Sequence, residues 1–168
     1  MEVVLARLED LNQIKEMYTR IIKNMYENDI KIWNEYYPNE VFESDIEQQN
    51  LYLLKNDKEI LGVFSLYEFV NSFDGLEWEN DAAKAYVINR LGVNVKYLHQ
   101  GIGKKLINEA CKIAKSKDAK YLRLLVSEIN TPAINLYSNC GFKKVSGIYK
   151  EIIHDDFSLN EYGFEMLL

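Results

Sequence analysis

The residues best suited to chemistry lie in two short stretches. In the first, an apolar run ending in Leu91-Gly92-Val93 passes through Leu98-His99-Gln100 into Gly101-Ile102-Gly103-Lys104-Lys105. Glycine tolerates left-handed backbone and lets a ligand approach the main chain. The unpaired N–H groups of a helix start, with the helix dipole behind them, favour an anion. Lys104 and Lys105 add full positive charge, so the segment has the makings of a phosphate cradle; the turn taken alone serves equally well as a plain link between strand and helix. The second stretch, Asn130-Thr-Pro-Ala-Ile-Asn-Leu-Tyr-Ser-Asn-Cys-Gly-Phe142, follows the apolar segment Tyr121–Val126. Asn130 suits a helix N-cap or a side-chain amide at a strand end, and Pro132 fits the first helical turn. Ala133 and Tyr137 fall on one helical face, and Gly141 ends the helix.

Each stretch needs a strand before it and a helix after it, and the hydrophobic spacing supplies both. Residues 85–95 read as the strand feeding the glycine turn. The helix over 101–117 keeps Ile102, Leu106, Ala110, Ile113 and Ala114 inward, and a strand over 121–127 with a helix over 131–140 repeats the unit. Upstream, Val3–Ala6 reads as a strand, and Leu11, Ile14, Tyr18, Ile21, Ile22 and Met25 mark an amphipathic helix. Residues 29–38 look like a second, aromatic-rich helix that Pro38 ends, with a short helix over 43–49. Strands over 51–54 and 60–66 form a hairpin about Asn56-Asp57, 71–83 is a polar loop, and strands over 142–153 and 161–168 close the chain. The order β-α-α-β-β-β-α-β-α-β-β predicts one α/β domain over 1–168, a mixed central sheet of about seven strands with helices on both faces.

Composition narrows the function classes. The chain has 168 residues, 48% of them hydrophobic, enough for one domain with a real core. No window approaches the ~18 uncharged apolar residues of a membrane span, and the Met-Glu-Val-Val-Leu start lacks a basic secretory leader, so no membrane association and a cytoplasmic location are expected. A net charge of −6 argues against nucleic acid as a partner. The charge is unevenly spread: lysines 104, 105, 112, 115 and 117 face one Glu109, whereas 59–83 holds six carboxylates and no Lys or Arg. Cys111 and Cys140 make neither a disulfide framework nor metal-ligand spacing, and no metal site is expected.

Strand, Gln-Gly-Ile-Gly, helix, strand, Asn-x-x-Ala-x-x-x-Tyr-x-x-x-Gly-Phe resembles the GNAT superfamily of acetyl-CoA-dependent N-acetyltransferases, and the resemblance runs over most of the chain, weakest in 7–50. It implies that the pantetheine arm of acetyl-CoA pairs with backbone groups of Leu91, Gly92 and Val93, with the Val93 N–H as oxyanion donor. The pyrophosphate would sit on N–H groups of His99, Gln100, Gly101, Ile102, Gly103 and Lys104. Asn130 would bond the pantetheine amides, Ala133 would line the same helix face, and Tyr137 would act as general acid toward the departing thiolate. Two departures stand out. Leu98 occupies a place where the family usually has Arg or Gln, and Tyr86-Val-Ile-Asn-Arg-Leu91 lacks the carboxylate that some members use as base. Water-relayed deprotonation is compatible with this, with Glu79, Asp81, Glu128 and His154 as candidate bases.

The activity so implied is acetyl transfer from acetyl-CoA to a primary amine by direct attack in a ternary complex, with no covalent intermediate on either cysteine. Trp33, Tyr36, Tyr37, Phe42, Tyr67, Phe69, Phe73 and Trp78 supply aromatic rings for an acceptor pocket or for core. A small amine, an amino-sugar, a polyamine or a peptide N-terminus would each fit. Pairing of a final-hairpin edge strand between subunits would give a homodimer. The alternative is an acetyl-CoA-binding sensor or interaction module without turnover. A nucleotide-triphosphate loop and a dinucleotide fingerprint both fail, since Gly101-Ile-Gly103 is too short for the one and Leu106 stands at the third glycine of the other. His154-Asp155-Asp156 reads as a solvated hairpin tip.

Overall fold

Apolar side chains spaced three and four apart bury one stripe of a helix, and the first long element does so: α1 (Leu11–Glu27) turns Ile14, Met17, Tyr18 and Ile21 inward. The computed structural model describes residues 1–70, 73–154 and 157–168, the side chains of 153, 154 and 157 excepted. The chain folds as two compact units, residues 1–67 with 89–110 and residues 68–88 with 111–168.

The first unit holds β1 (Glu2–Leu5), α1, α2 (Phe42–Glu47), β2 (Leu51–Lys55) and most of β3 (Ile60–Glu68). It also takes the second half of β5 (Ala85–Val93) and the first part of α3 (Ile102–Ser116). Its strands run β1-β2-β3-β5, with Val3 opposite Leu54 and Leu53 opposite Val63 in antiparallel register. Helices cover β3 on both faces. A Cβ on Gly62 would lie 2.6 Å from the Leu106 side chain of α3, whereas Ser65, on the alternate face, donates its hydroxyl to Asp45 of α2 at 2.7 Å. Close approach of α3 therefore requires glycine at 62. The core of this unit joins Ile14, Met17, Tyr18, Phe42, Leu51, Leu53 and Val63.

The second unit holds β4 (Leu76–Glu77), the first half of β5, the rest of α3, β6 (Tyr121–Ser127), α4 (Thr131–Asn139), β7 (Lys143–Lys144), β8 (Ser146–Gly147), β9 (Tyr149–His154) and β10 (Phe157–Leu167). β5 runs parallel to β6 from Ala85↔Tyr121 to Ile88↔Leu124. β10 lies antiparallel to β6 from Glu161↔Ser127 to Leu167↔Tyr121, and also pairs with β7 and β9. Beneath this ladder Arg123 is fully buried. It pairs with Glu165 at 3.3 Å, donates to the Asn80 carbonyl at 2.8 Å, and sits over the rings of Phe69, Trp78 and Tyr121.

The fold is the expected mixed α/β arrangement, with three local corrections. Residues 29–38 form no helix: the Asn34 side-chain oxygen accepts the N–H groups of Tyr36 and Tyr37, each at 2.9 Å, and this local turn takes the donors a helix would use. The second helix is α2, where Phe42 and Ile46 are buried. The strand expected over 142–153 is broken into β7, β8 and β9, because β8 leaves to pair with β4, a strand inside the expected 71–83 loop. That ladder needs glycine at 147, since a Cβ there would fall 1.8 Å from the Gly75 carbonyl oxygen. Residues 71–72 and the Asp155-Asp156 tip lie outside the described residues. No helix of the described chain is long and apolar enough to cross a membrane.

A buried arginine depends on its counterion, because removing one partner strands a charge in a dry environment. Glu165→Gln should lower the unfolding free energy in urea by about 3 kcal/mol or more, and an Arg123→Met, Glu165→Met double variant should recover much of it.

Candidate functional site

The glycine turn is built from its entry. Asn94, 2% exposed, donates its side-chain amide to the Ile60 carbonyl at 2.8 Å, while its own N–H bonds Leu61 O at 3.0 Å. Its Oδ1 caps the short 3-10 turn Val95–Tyr97, and Lys96 and Tyr97 both bond Glu59, at 3.0 and 2.8 Å. These donors hold the Glu59 carboxyl below its ordinary range. The chain then passes through two left-handed residues, His99 at φ +60° and Gly101 at φ +77°. α3 starts at Ile102, and its first backbone bond runs from Lys105 N–H to Gly101 O at 3.0 Å. The N–H groups of Ile102, Gly103 and Lys104 thus have no acceptor within the helix.

This turn fits a pyrophosphate. A Cβ placed on Gly101 would meet nothing within 4 Å, so the space over the backbone is open. Ile102, 4% exposed, anchors the helix from below, and Gln100 and Lys104 are exposed. Gln100 donates to the Lys96 carbonyl at 3.3 Å. Leu98 is 36% exposed and adds no polar contact.

Sequence reasoning missed a second feature of the same unit. Arg90, just before Leu91-Gly92-Val93, lies at φ +51° inside β5. Tyr18 of α1 donates its phenol to the Arg90 carbonyl, and the Arg90 guanidinium donates to Asp45 of α2 at 2.9 and 2.7 Å. Tyr67 joins this group, donating to Asp45 and accepting from Arg90, and Tyr37 accepts from Arg90 at 3.4 Å. Burial, and then the Asp45 carboxylate, keep the Tyr67 phenol protonated. Gly92 is packed so closely that a Cβ would lie 2.8 Å from the Tyr18 hydroxyl. The visible signal in sequence was only an arginine in an apolar strand.

The second unit carries the Asn-x-x-Ala-x-x-x-Tyr stretch. Asn130 caps α4, its Oδ1 accepting the Ala133 N–H at 3.3 Å, and Pro132 sits in the first turn. Tyr137 is 7% exposed, with its ring 5.9 Å from that of Phe142. Burial pushes its phenol well up, so it remains a hydrogen-bond donor at any physiological pH. Of the candidate bases, Glu79, Asp81 and Glu128 are exposed, and Glu128 accepts from the Asn160 amide at 2.9 Å; the His154 side chain lies outside the described residues. Burial raises the Cys111 thiol to about 11, which keeps it from acting as a thiolate. Of the aromatic set, Phe42 and Trp78 are core, Tyr36 and Tyr37 are exposed, and Phe69 and Trp78 pack around Arg123.

Comparison with known proteins gives this geometry a context. The sequence pattern of the Acetyltransferase (GNAT) family matches residues 11–142. A GNAT-family acetyltransferase from Listeria monocytogenes 4b F2365 is similar in fold, with TM-score 0.74 and 20% identity over 99% of this chain and 94% of that one. A ribosomal-protein-alanine N-acetyltransferase from Brucella melitensis superposes with TM-score 0.73 at 19% identity, covering 100% of both chains. The NatC complex bound to Gag peptide and CoA contains a chain with TM-score 0.65 and 17% identity, covering 100% of this chain and 99% of that one. No curated protein matches the sequence. The family match takes in both the glycine turn and the Asn130–Phe142 stretch, and the chain belongs to the GNAT acetyltransferases, as an acyltransferase whose acetyl donor is acetyl-CoA.

Proposed function

We propose that the protein transfers the acetyl group of acetyl-CoA to a primary amine by direct attack within a ternary complex. The observation that carries this reading is the His99–Lys104 turn, where two left-handed residues lead into three helix-start N–H groups with no acceptor in the helix, beside open space at Gly101. Those N–H groups hold the pyrophosphate, with Lys104 adding charge. The backbone of Leu91, Gly92 and Val93 pairs with the pantetheine amides, and the Val93 N–H polarises the acetyl carbonyl. Asn130 bonds the pantetheine from the start of α4, beside Ala133. Tyr137, which burial keeps protonated, donates its proton to the departing sulfur. Bound acetyl-CoA supplies a reactive thioester, and no cysteine of this chain is needed as nucleophile. Relatives named for acting on a ribosomal-protein alanine, or bound to a peptide, support an amine acceptor.

Acetyl-CoA at a hundred times its dissociation constant should stabilise the protein by ~2.7 kcal/mol, visible as a rise in Tm. Thiol release should follow with at least one of glucosamine, spermidine, tyramine and an alanine-initiated hexapeptide. A rise in Tm without release from any of the four would favour a binding module, and no rise would remove the donor site. Tyr137→Phe should keep the acetyl-CoA shift while kcat falls ~10²-fold or more; an unchanged kcat would exclude Tyr137 as the acid. Gly92→Ala must displace the Tyr18 hydroxyl and should weaken acetyl-CoA binding with a stability loss of about 1–3 kcal/mol, read by urea unfolding and by titration of the donor.

A further inference from the structure

The reading above leaves the acceptor nitrogen without a partner for its proton, and the present inference rests on that reading. One face of the β10 ladder offers such a partner. Register sets Glu161 opposite Ser127 of β6 and opposite Tyr149 of β9, and sets Glu151 of β9 opposite Leu159. Strand side chains alternate between faces, so Glu161, Glu151, Tyr149 and Ser127 share one. Directly opposed residues have Cβ atoms about 4.5–5.5 Å apart. Ser127 is 2% exposed, and its hydroxyl has no hydrogen-bond partner among the described residues. Buried hydroxyls are normally satisfied, so an unpaired one set against carboxylates marks a place that a polar group of a ligand completes.

The position within the unit suits the reaction. Ser127 ends β6, and its carbonyl accepts the Asn130 N–H at 2.9 Å, which ties it to the start of the helix carrying Tyr137. Phe73 packs its ring 5.1 Å from Tyr149, and a Cβ on Gly163 would meet Leu76 and Trp78 within 3.0 Å, so segment 73–78 brings apolar walls. The charged groups sharing the face are Glu151 on β9, Lys143 on β7, which lies opposite Glu165, and Arg123, which pairs with Glu165 at 3.3 Å further along β6 and β10. Neither cation lies opposite Glu161, whose register partners are Ser127 and Tyr149. Burial first, and Glu151 second, push the Glu161 carboxyl up to about 7; burial also raises Glu151.

We propose that Glu161 is the proton acceptor for the attacking amine, with Glu151 sharing recognition of its ammonium form and the Ser127 hydroxyl accepting one of its N–H bonds. The acceptor arrives as R–NH3⁺ and gives one proton to the Glu161 carboxylate. The freed lone pair forms the N–C bond to the acetyl carbon, and the C–S bond breaks with its electron pair on sulfur. Tyr137 protonates the sulfur and is reprotonated by the second nitrogen proton, while Glu161 releases its proton to solvent. The sum is amide, thiol and one proton.

For whichever of the four amines is turned over, wild-type kcat/KM should rise with pH through an ionisation near 7. Glu161→Gln should remove that limb and lower kcat/KM ~100-fold or more, with the acetyl-CoA Tm shift retained as proof of folding. Glu151→Gln should move the limb to lower pH, which no ionisation of the amine itself can do. An independent arm needs no acceptor. A carboxyl whose folded value is raised binds its proton more tightly in the native state, so its contribution to stability falls as pH rises from the ordinary ~4.3 through the folded value. The Tm of Glu161→Gln minus that of wild type should therefore widen between pH 5 and 8. A flat difference, or a Glu161→Gln enzyme with unchanged rate and pH profile, would overturn the assignment alone. Acetyl-CoA binding with no turnover of any of the four amines would overturn the transferase reading and this one with it.

Discussion

A strand residue with left-handed backbone sets the geometry on which the first unit depends. Arg90 is not glycine, and holding it at φ +51° costs ~1–2 kcal/mol that an ordinary strand would avoid. Two elements hold it there. Tyr18 of α1 grips its carbonyl, and Asp45 of α2 grips its guanidinium. Both partners are buried, and Tyr18 lies in the aromatic core beside Phe42, so the strained residue is over-determined by its surroundings. The parallel ladder of β5 with β6 is formed by Ala85–Ile88 in the second unit, and the strand then carries Arg90 and the three residues whose backbone we assign to the donor. The hydrophobic core, through Tyr18, thus reaches the residue before Leu91-Gly92-Val93 in a single hydrogen bond.

The glycine turn follows the same logic of a mobile-looking loop fixed from outside. Asn94 ties it to β3 by two bonds, and Glu59 collects Lys96 and Tyr97. What remains beyond Tyr97 is backbone with open N–H groups, and a backbone cradle tolerates variation in side chains. That is the physical reason Leu98 need not abolish binding. In the second unit the comparable anchor is Arg123, whose pairing with Glu165 and three aromatic rings fixes β6 and so the start of α4.

Much of this was legible in the residues themselves. Gly101 announced a turn because few other residues accept its backbone, whereas Gly103 lies in the first turn of α3 without a positive φ, and Asn130, Pro132 and Gly141 marked helix ends that the structure places at Thr131 and Asn139. The stripe from Ile14 to Ile21 was equally plain. Other features depend on partners far along the chain. Asn34 defeated the helix expected at 29–38 through side-chain bonds that compete with helix formation, and the β4–β8 ladder exists because Gly75 and Gly147 can approach each other. Arg90 carries no local sign of its conformation. Glu161 was invisible for a different reason: in an alternating strand only the register with Ser127 and Tyr149 reveals which groups share its face.

In the mechanism we propose, main-chain amides of two segments, 91–93 and 99–104, hold the acetyl donor. Amide hydrogen exchange with and without acetyl-CoA tests it directly. Slower exchange is expected to concentrate in these two segments and at Asn130. Exchange that slows elsewhere while these amides are unchanged would contradict it.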